Sequence, residues 1–145
     1  MVNIRVMSII DYDEVYNLWL NTPGMGLNPT DDSREGIEKY LKRNPTSCFV
    51  ARCDGIIVGV IMAGHDGRRG YIHHTAVLPA YRKQGIAKRL VDCAMSALDA
   101  EDINKVALVV FKTNDIGNDF WENIGFTDRD DLVYRNKNIH VLNRI

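Results

Sequence analysis

At 145 residues the chain has the usual length of one domain, and residues 1–145 are expected to fold as a single unit. Hydrophobic residues supply 46% and charged residues 26%, which excludes a disordered chain and leaves enough apolar mass for a core without metals or disulfides. With 18 Lys and Arg against 19 Asp and Glu, the formal charge of -1 argues against nucleic acid as a partner, because neutralising phosphates needs a net basic footprint. The longest apolar run, Ile56 to Gly64, is too short to span a bilayer, so no membrane partner is expected either. Residues 1–20 lack the basic-then-apolar pattern of an export signal, and Cys48, Cys53 and Cys93 have no CxxC spacing. They read as reduced thiols of a cytoplasmic protein, with no metal site.

Residues 2–7 alternate apolar and polar and predict a half-buried strand. Asp11 and Glu14 have capping-box spacing and open a helix whose apolar face is Tyr12, Val15, Tyr16 and Trp19. Residues 22–30 contain two Gly and two Pro and predict a loop with the composition of a mobile gate. Asp32 and Glu35 repeat the capping-box spacing before a second amphipathic helix, stopped at Asn44-Pro45. Two strands, Ser47 to Cys53 and Ile56 to Ala63, flank Asp54-Gly55, a strong hairpin signal, and the second is apolar on both faces. A third strand, Tyr71 to Leu78, ends at Pro79, which cannot donate to a ladder. The longest helix begins at Gly85 and turns Ile86, Leu90, Ala94, Ala97 and Leu98 to one side. Residues 105–111 read as a buried strand, parallel to the third across that helix. Asn114 caps a last helix that Gly125 ends, and the tail from Phe126 to Arg144 alternates enough for two short strands.

The stretch from Val77 to Ala87 carries the most chemistry. A strand stops, two cations follow, and a glycine enters a helix whose first N–H groups have no internal partner. Gly85 and Ala87 keep side chains away from those groups, so a pyrophosphate can approach, with Arg82 and Lys83 adding charge-assisted hydrogen bonds of about 1.5–3 kcal/mol each. A plain strand-to-helix turn with solvated cations would have the same residues.

Val77, Pro79, Arg82, Gly85 and Ala87 fall on the pattern V-x-P-x-x-(R/Q)-x-x-G-x-(G/A), and the stretch resembles motif A of the GNAT N-acetyltransferase superfamily. A second block from Asn114 to Phe126 resembles the family's motif B through Asn114, Phe120, Gly125 and Phe126. The resemblance implies an α/β (α+β) fold: a mixed, mostly antiparallel twisted sheet of six to seven strands with about four helices. A splayed parallel pair would form the cofactor cleft. It implies acetyl-CoA as cosubstrate, transferred directly to the primary amine of a small molecule or of a peptide or protein, by a monomer or homodimer. Backbone amides near Ala76 and Val77 would hold the thioester carbonyl. The amides of Gln84, Gly85, Ile86 and Ala87 would cradle the pyrophosphate, beside Arg82 and Lys83. Asn114, Phe120 and Trp121 would touch the cofactor, Asn114 being equally a simple helix cap.

Two positions depart from the family pattern. Trp121 stands where a tyrosine is common, and an indole cannot protonate a departing thiolate. Gly117 stands where alanine is common, at about 1 kcal/mol in a helix interior. No carboxylate lies on residues 105–111, so the base is sought at His73 or His74. Strand alternation puts the two histidines on opposite faces, and His74, closer to Val77, is the candidate. Tyr134 is the second candidate catalytic side chain, with Glu14, Asp31 and Asp32 as weaker alternatives. Trp121 and the missing carboxylate also suit a non-catalytic acyl-CoA-binding domain. A nucleotide-phosphate binder using the Gly85 turn alone would lack the GxxxxGK[ST] loop.

Overall fold

The structure, a computed structural model, describes residues 1–141. Its elements run β1 (Asn3–Val6), α1 (Tyr12–Leu20), α2 (Arg34–Arg43), β2 (Phe49–Cys53), β3 (Ile56–His65), β4 (Gly70–Val77), α3 (Ile86–Asp99), β5 (Val106–Ala107) and α4 (Asp115–Asn123). The strands form one sheet in the order β1-β2-β3-β4-β5, antiparallel except for the β4–β5 pair. The mixed, mostly antiparallel α/β class is the one expected.

The β2–β3 hairpin turns on Asp54 and Gly55, both left-handed at φ 54° and 79°, as the two central residues of a primed turn require. β3 is buried from Ile57 to Gly64, consistent with its position at the centre of the sheet. One face of the sheet packs Val50, Val60 and Ala76 under Val15, Trp19 and Ile37 of α1 and α2. The other packs Ala51, Ile61 and Ile72 under Ile86, Leu90, Ala94 and Leu98 of the stripe read along α3, with Val91 buried beside them and Ala97 only half-buried.

The capping interactions of both helices in the N-terminal half differ from expectation. Asp11 lies in a 3-10 turn before α1 and takes a two-pronged ion pair from Arg5 at 2.7 and 2.8 Å, while accepting the Ser8 N–H at 2.9 Å. Glu14 reaches across to accept the Ile57 N–H at 3.0 Å, beside the bulge in the β2–β3 pairing. Ser33, not Asp32, caps α2, its Oγ accepting the Gly36 N–H at 3.0 Å. Asp32 is thereby available for another role.

Five strands stand where six to seven were expected. β5 pairs with β4 only through Val106 and Ala107, against the expected 105–111, and the described part of the tail, 126–141, contains no strand. Leu132, Val133 and Tyr134 are exposed at 62%, 75% and 66%, so the alternation that predicted a strand has no buried face to serve. Residues 142–144 of the expected tail strands lie outside the described residues. Since β4 continues to Val77 while its pairing with β5 ends at Tyr71 and Ala107, the parallel pair is open towards its C-terminal end.

Candidate active site

The open end of the β4–β5 pair leads into the turn before α3. Pro79–Tyr81 forms a 3-10 turn, Lys83 and Gly85 are left-handed at φ 63° and 79°, and α3 starts at Ile86. Alternating the backbone this way points successive amides into one concavity. Among the described residues, the N–H groups from Lys83 through Lys88 have no protein acceptor, the next, Arg89, bonding the Gly85 carbonyl at 3.1 Å. A Cβ at Gly85 would meet nothing within 4 Å, so the concavity is unobstructed. Gln84, Gly85, Ile86 and Ala87 are among these free donors, and the set fits a diphosphate.

Arg82 is engaged differently from expectation. Its Nε donates to the Val77 carbonyl at 3.1 Å, tying the cradle to the end of β4 and leaving the other guanidinium nitrogens outside that bond. Val77 and Ala76 also separate. Leu78 N–H bonds Val58 at 2.8 Å and Ala76 pairs with Val60, so antiparallel alternation commits the Ala76 amide to β3 and turns the Val77 amide towards the open side. Of the two amides proposed for a thioester carbonyl, Val77 is the one left for it.

The histidines correct a simple alternation argument. His73 pairs with Met62 and Ala76 with Val60, so His74 and Thr75 together oppose Ile61 in a bulge where His74 takes φ 46°. The extra residue brings both imidazoles to the α1–α2 face, with centroids 6.3 Å apart. The His74 ring lies edge-on to Trp19 at 5.0 Å, and its Nε2 is 2.8 Å from Asp32 Oδ1. Trp19 Nε1 donates to the His74 carbonyl at 3.1 Å, which holds the strained turn of backbone. His73 keeps more than a third of its surface open, yet its ring contacts Tyr71 at 4.5 Å and Tyr40 at 5.8 Å. Lost solvation, and then the potential of His74, push its pKa down. Tyr71 is pushed up by burial and by its neighbour Tyr134, so the tail tyrosine comes close to this row of rings while staying exposed.

The remaining candidates have structural partners. Asn114 Oδ1 accepts the Gly117 N–H at 2.9 Å and is the cap of α4; a Cβ at Gly117 would stand 2.5 Å from the Asn114 amide nitrogen, which explains the glycine. Phe120 and Trp121 pack on the α3 face with ring centroids 5.0 Å apart, and Trp121 meets Phe126 at 5.1 Å. Trp121→Ala should therefore lower the urea midpoint by an amount equivalent to about 2 kcal/mol; an unchanged midpoint would remove this packing role. Asp31 accepts the Asn28 amide at 3.0 Å in the loop before α2, and Cys48 is buried, its thiol pushed up to about 12 by lost solvation. Loop 22–30 is anchored by Leu27, 5% exposed, and approaches β5's continuation where a Cβ on Gly24 would lie 3.7 Å from Phe111.

The sequence offers Asp32 as a helix cap and as a weaker base candidate, and Trp19 as part of an apolar helix face. Their convergence on His74 comes from elements 42 and 55 residues away, and no local signal announces it.

The sheet opens beside this run of free amides, an arrangement that fits an extended, phosphate-bearing ligand between the parallel strands. The acetyltransferase (GNAT) family profile matches residues 12–126, and the chain belongs to that family of acyl-transferring enzymes. An acetyltransferase of Sodalis glossinidius is 33% identical over 95% of this chain and 96% of its own, and one of Photorhabdus laumondii is 35% identical over 88% of both. The fold is similar to that of a predicted acetyltransferase from Clostridium acetobutylicum solved with acetyl-CoA, at TM-score 0.75 and 22% identity over 94% of this chain and 96% of that one. It is also similar to PaiA N-acetyltransferase from Thermoplasma acidophilum, solved with coenzyme A, at TM-score 0.77 and 19% identity over 90% and 92%. Among the described residues no helix is long and apolar enough to cross a membrane.

Proposed function

We propose that the protein transfers the acetyl group of acetyl-CoA directly to a primary amine of a small molecule or peptide. The observation that carries the reading is the run of unpartnered amides from Lys83 to Lys88 at the open end of the β4–β5 pair. In this reading those amides, with Lys83 and the outer nitrogens of Arg82, hold the diphosphate. The pantetheine arm lies along the exposed edge of β4 as an added strand would. The Val77 N–H donates to the thioester oxygen, where negative charge grows as the amine attacks.

His74, on the α1–α2 face three residues before Val77, accepts the proton that the amine nitrogen loses as its electron pair forms the C–N bond. The C–S pair leaves as the coenzyme thiolate, which takes a proton from water; free thiols have a pKa near 8.5, so no strong acid is required. Tyr134, exposed and close to Tyr71, is the alternative catalytic side chain, while Phe120 and Trp121 support the site by packing. Cys48 is buried and lost solvation pushes its thiol up, which disfavours it as a nucleophile and favours direct transfer over an acyl-enzyme. Three free thiols suit a cytoplasmic enzyme, which in this reading acts as a monomer or homodimer.

The test is acetyl-CoA consumption against a panel of amino acids, polyamines, aminoglycosides and peptide N-termini. At least one class should be turned over, and His74→Ala should lower kcat about 100-fold or more with little change in the KM for acetyl-CoA. Coenzyme binding without turnover of any amine would favour the acyl-CoA-binding reading, and equal rates in His74→Ala would move the base elsewhere.

A further inference from the structure

We infer that Asp32 is a positioning residue that locks His74 in its Nε2–H form and so makes Nδ1 the nitrogen that accepts the proton. The inference rests on the acetyl-transfer reading for its kinetic consequence, though not for its geometry.

Asp32 is 5% exposed, and each carboxylate oxygen has its own donor. Oδ1 faces His74 Nε2 at 2.8 Å, and Oδ2 accepts the Asn28 N–H at 2.9 Å. The Asp32 carbonyl accepts the Tyr12 hydroxyl at 2.6 Å, so the residue is held at backbone and side chain alike. A carboxylate oxygen accepts and does not donate, so the hydrogen between the two groups belongs to Nε2. The Nδ1 lone pair is then free. Among the described residues it has no hydrogen-bond partner, and the His74 side chain keeps 19% of its surface open. The ring cannot pivot cheaply out of this arrangement, because Trp19 contacts its edge and bonds its carbonyl.

Asp32→Asn separates positioning from simple tethering. The Asn28 N–H requires an acceptor, so the single carbonyl oxygen of the new amide must serve it. The amide NH2 then faces Nε2 and donates, which forces the hydrogen of the imidazole onto Nδ1. Geometry is kept and the proton-accepting nitrogen is lost.

The experiment is nitrogen-15 NMR of the imidazoles in the free protein, with His74→Gln identifying the His74 signals, together with steady-state kinetics. The Nε2–H form is expected in the wild type and the Nδ1–H form in Asp32→Asn. The variant's kcat should fall about 100-fold or more, with the KM for acetyl-CoA retained. An Nδ1–H form in the wild type overturns the inference without reference to any variant or activity. A tautomer switch that leaves kcat unchanged in an active enzyme overturns it as well. If the wild type turns over no amine, the functional reading fails and the kinetic role of Asp32 fails with it. The wild-type tautomer still decides whether the Asp32–His74 lock exists.

Discussion

Gly85→Glu should abolish coenzyme A binding, weakening it at least 100-fold, in a protein that remains folded. The residue is left-handed at φ 79°, and a Cβ there would meet nothing within 4 Å, so a longer side chain encounters no wall. Its carboxylate would enter the concavity lined by the Lys83–Lys88 amides, satisfy those donors itself, and repel a diphosphate. Losing two charge-assisted hydrogen bonds at about 1.5–3 kcal/mol each already exceeds the ~2.7 kcal/mol that 100-fold represents. The backbone also matters, since an L-residue in the left-handed region costs roughly 1–2 kcal/mol whatever its side chain. Gly85→Ala carries that strain without the charge. Calorimetry with coenzyme A should find Gly85→Ala within about tenfold of wild type and no measurable binding by Gly85→Glu. Equal affinities for the two variants would show that the concavity does not hold the phosphates.

The Gly85 turn was legible because its signals are local. A strand stop, adjacent cations and a glycine at a helix entrance are all readable within a few residues, as are Asp54-Gly55 and the α3 stripe. The histidine pair was not. Strand alternation assigns His73 and His74 to opposite faces, and only a bulge, with a non-glycine residue at φ 46°, brings them together. What stabilises that bulge is Trp19 and Asp32, whose side chains are ordinary in their own segments. The capping-box spacing of Asp32 and Glu35 was misleading for a similar reason. Ser33 caps instead, and the Asp32 carboxylate bonds the distant His74 imidazole and the Asn28 N–H. Strand patterns in 105–111 and in the tail failed differently. Leu132 and Tyr134 have strand-like spacing, but a strand forms only where a neighbour completes its ladder, and that partnership is not encoded in the segment itself.

Trp19 should prove the residue least tolerant of change on the α1–α2 face. It is fully buried, packs α1 against the sheet, and provides both an edge for the His74 ring at 5.0 Å and a donor to the His74 carbonyl at 3.1 Å. Trp19→Ala removes a buried indole at about 3–5 kcal/mol, a large share of the 5–15 kcal/mol that stabilises a typical domain, and should unfold much of the population at 37 °C. Trp19→Phe keeps most of the apolar contact but deletes the N–H. The His74 carbonyl then lacks that donor, at about 1–3 kcal/mol, and the left-handed turn loses the bond that holds it. The effect on function should be selective. The Lys83–Lys88 cradle is built from the β4–α3 turn, so coenzyme A affinity should stay within a few-fold of wild type while kcat falls at least tenfold as the imidazole loses its fixed position. Urea denaturation and calorimetry on the two variants measure these effects separately. A Trp19→Phe enzyme with wild-type kcat would mean that the bulge holds without the indole, and that the His74 ring needs no such support.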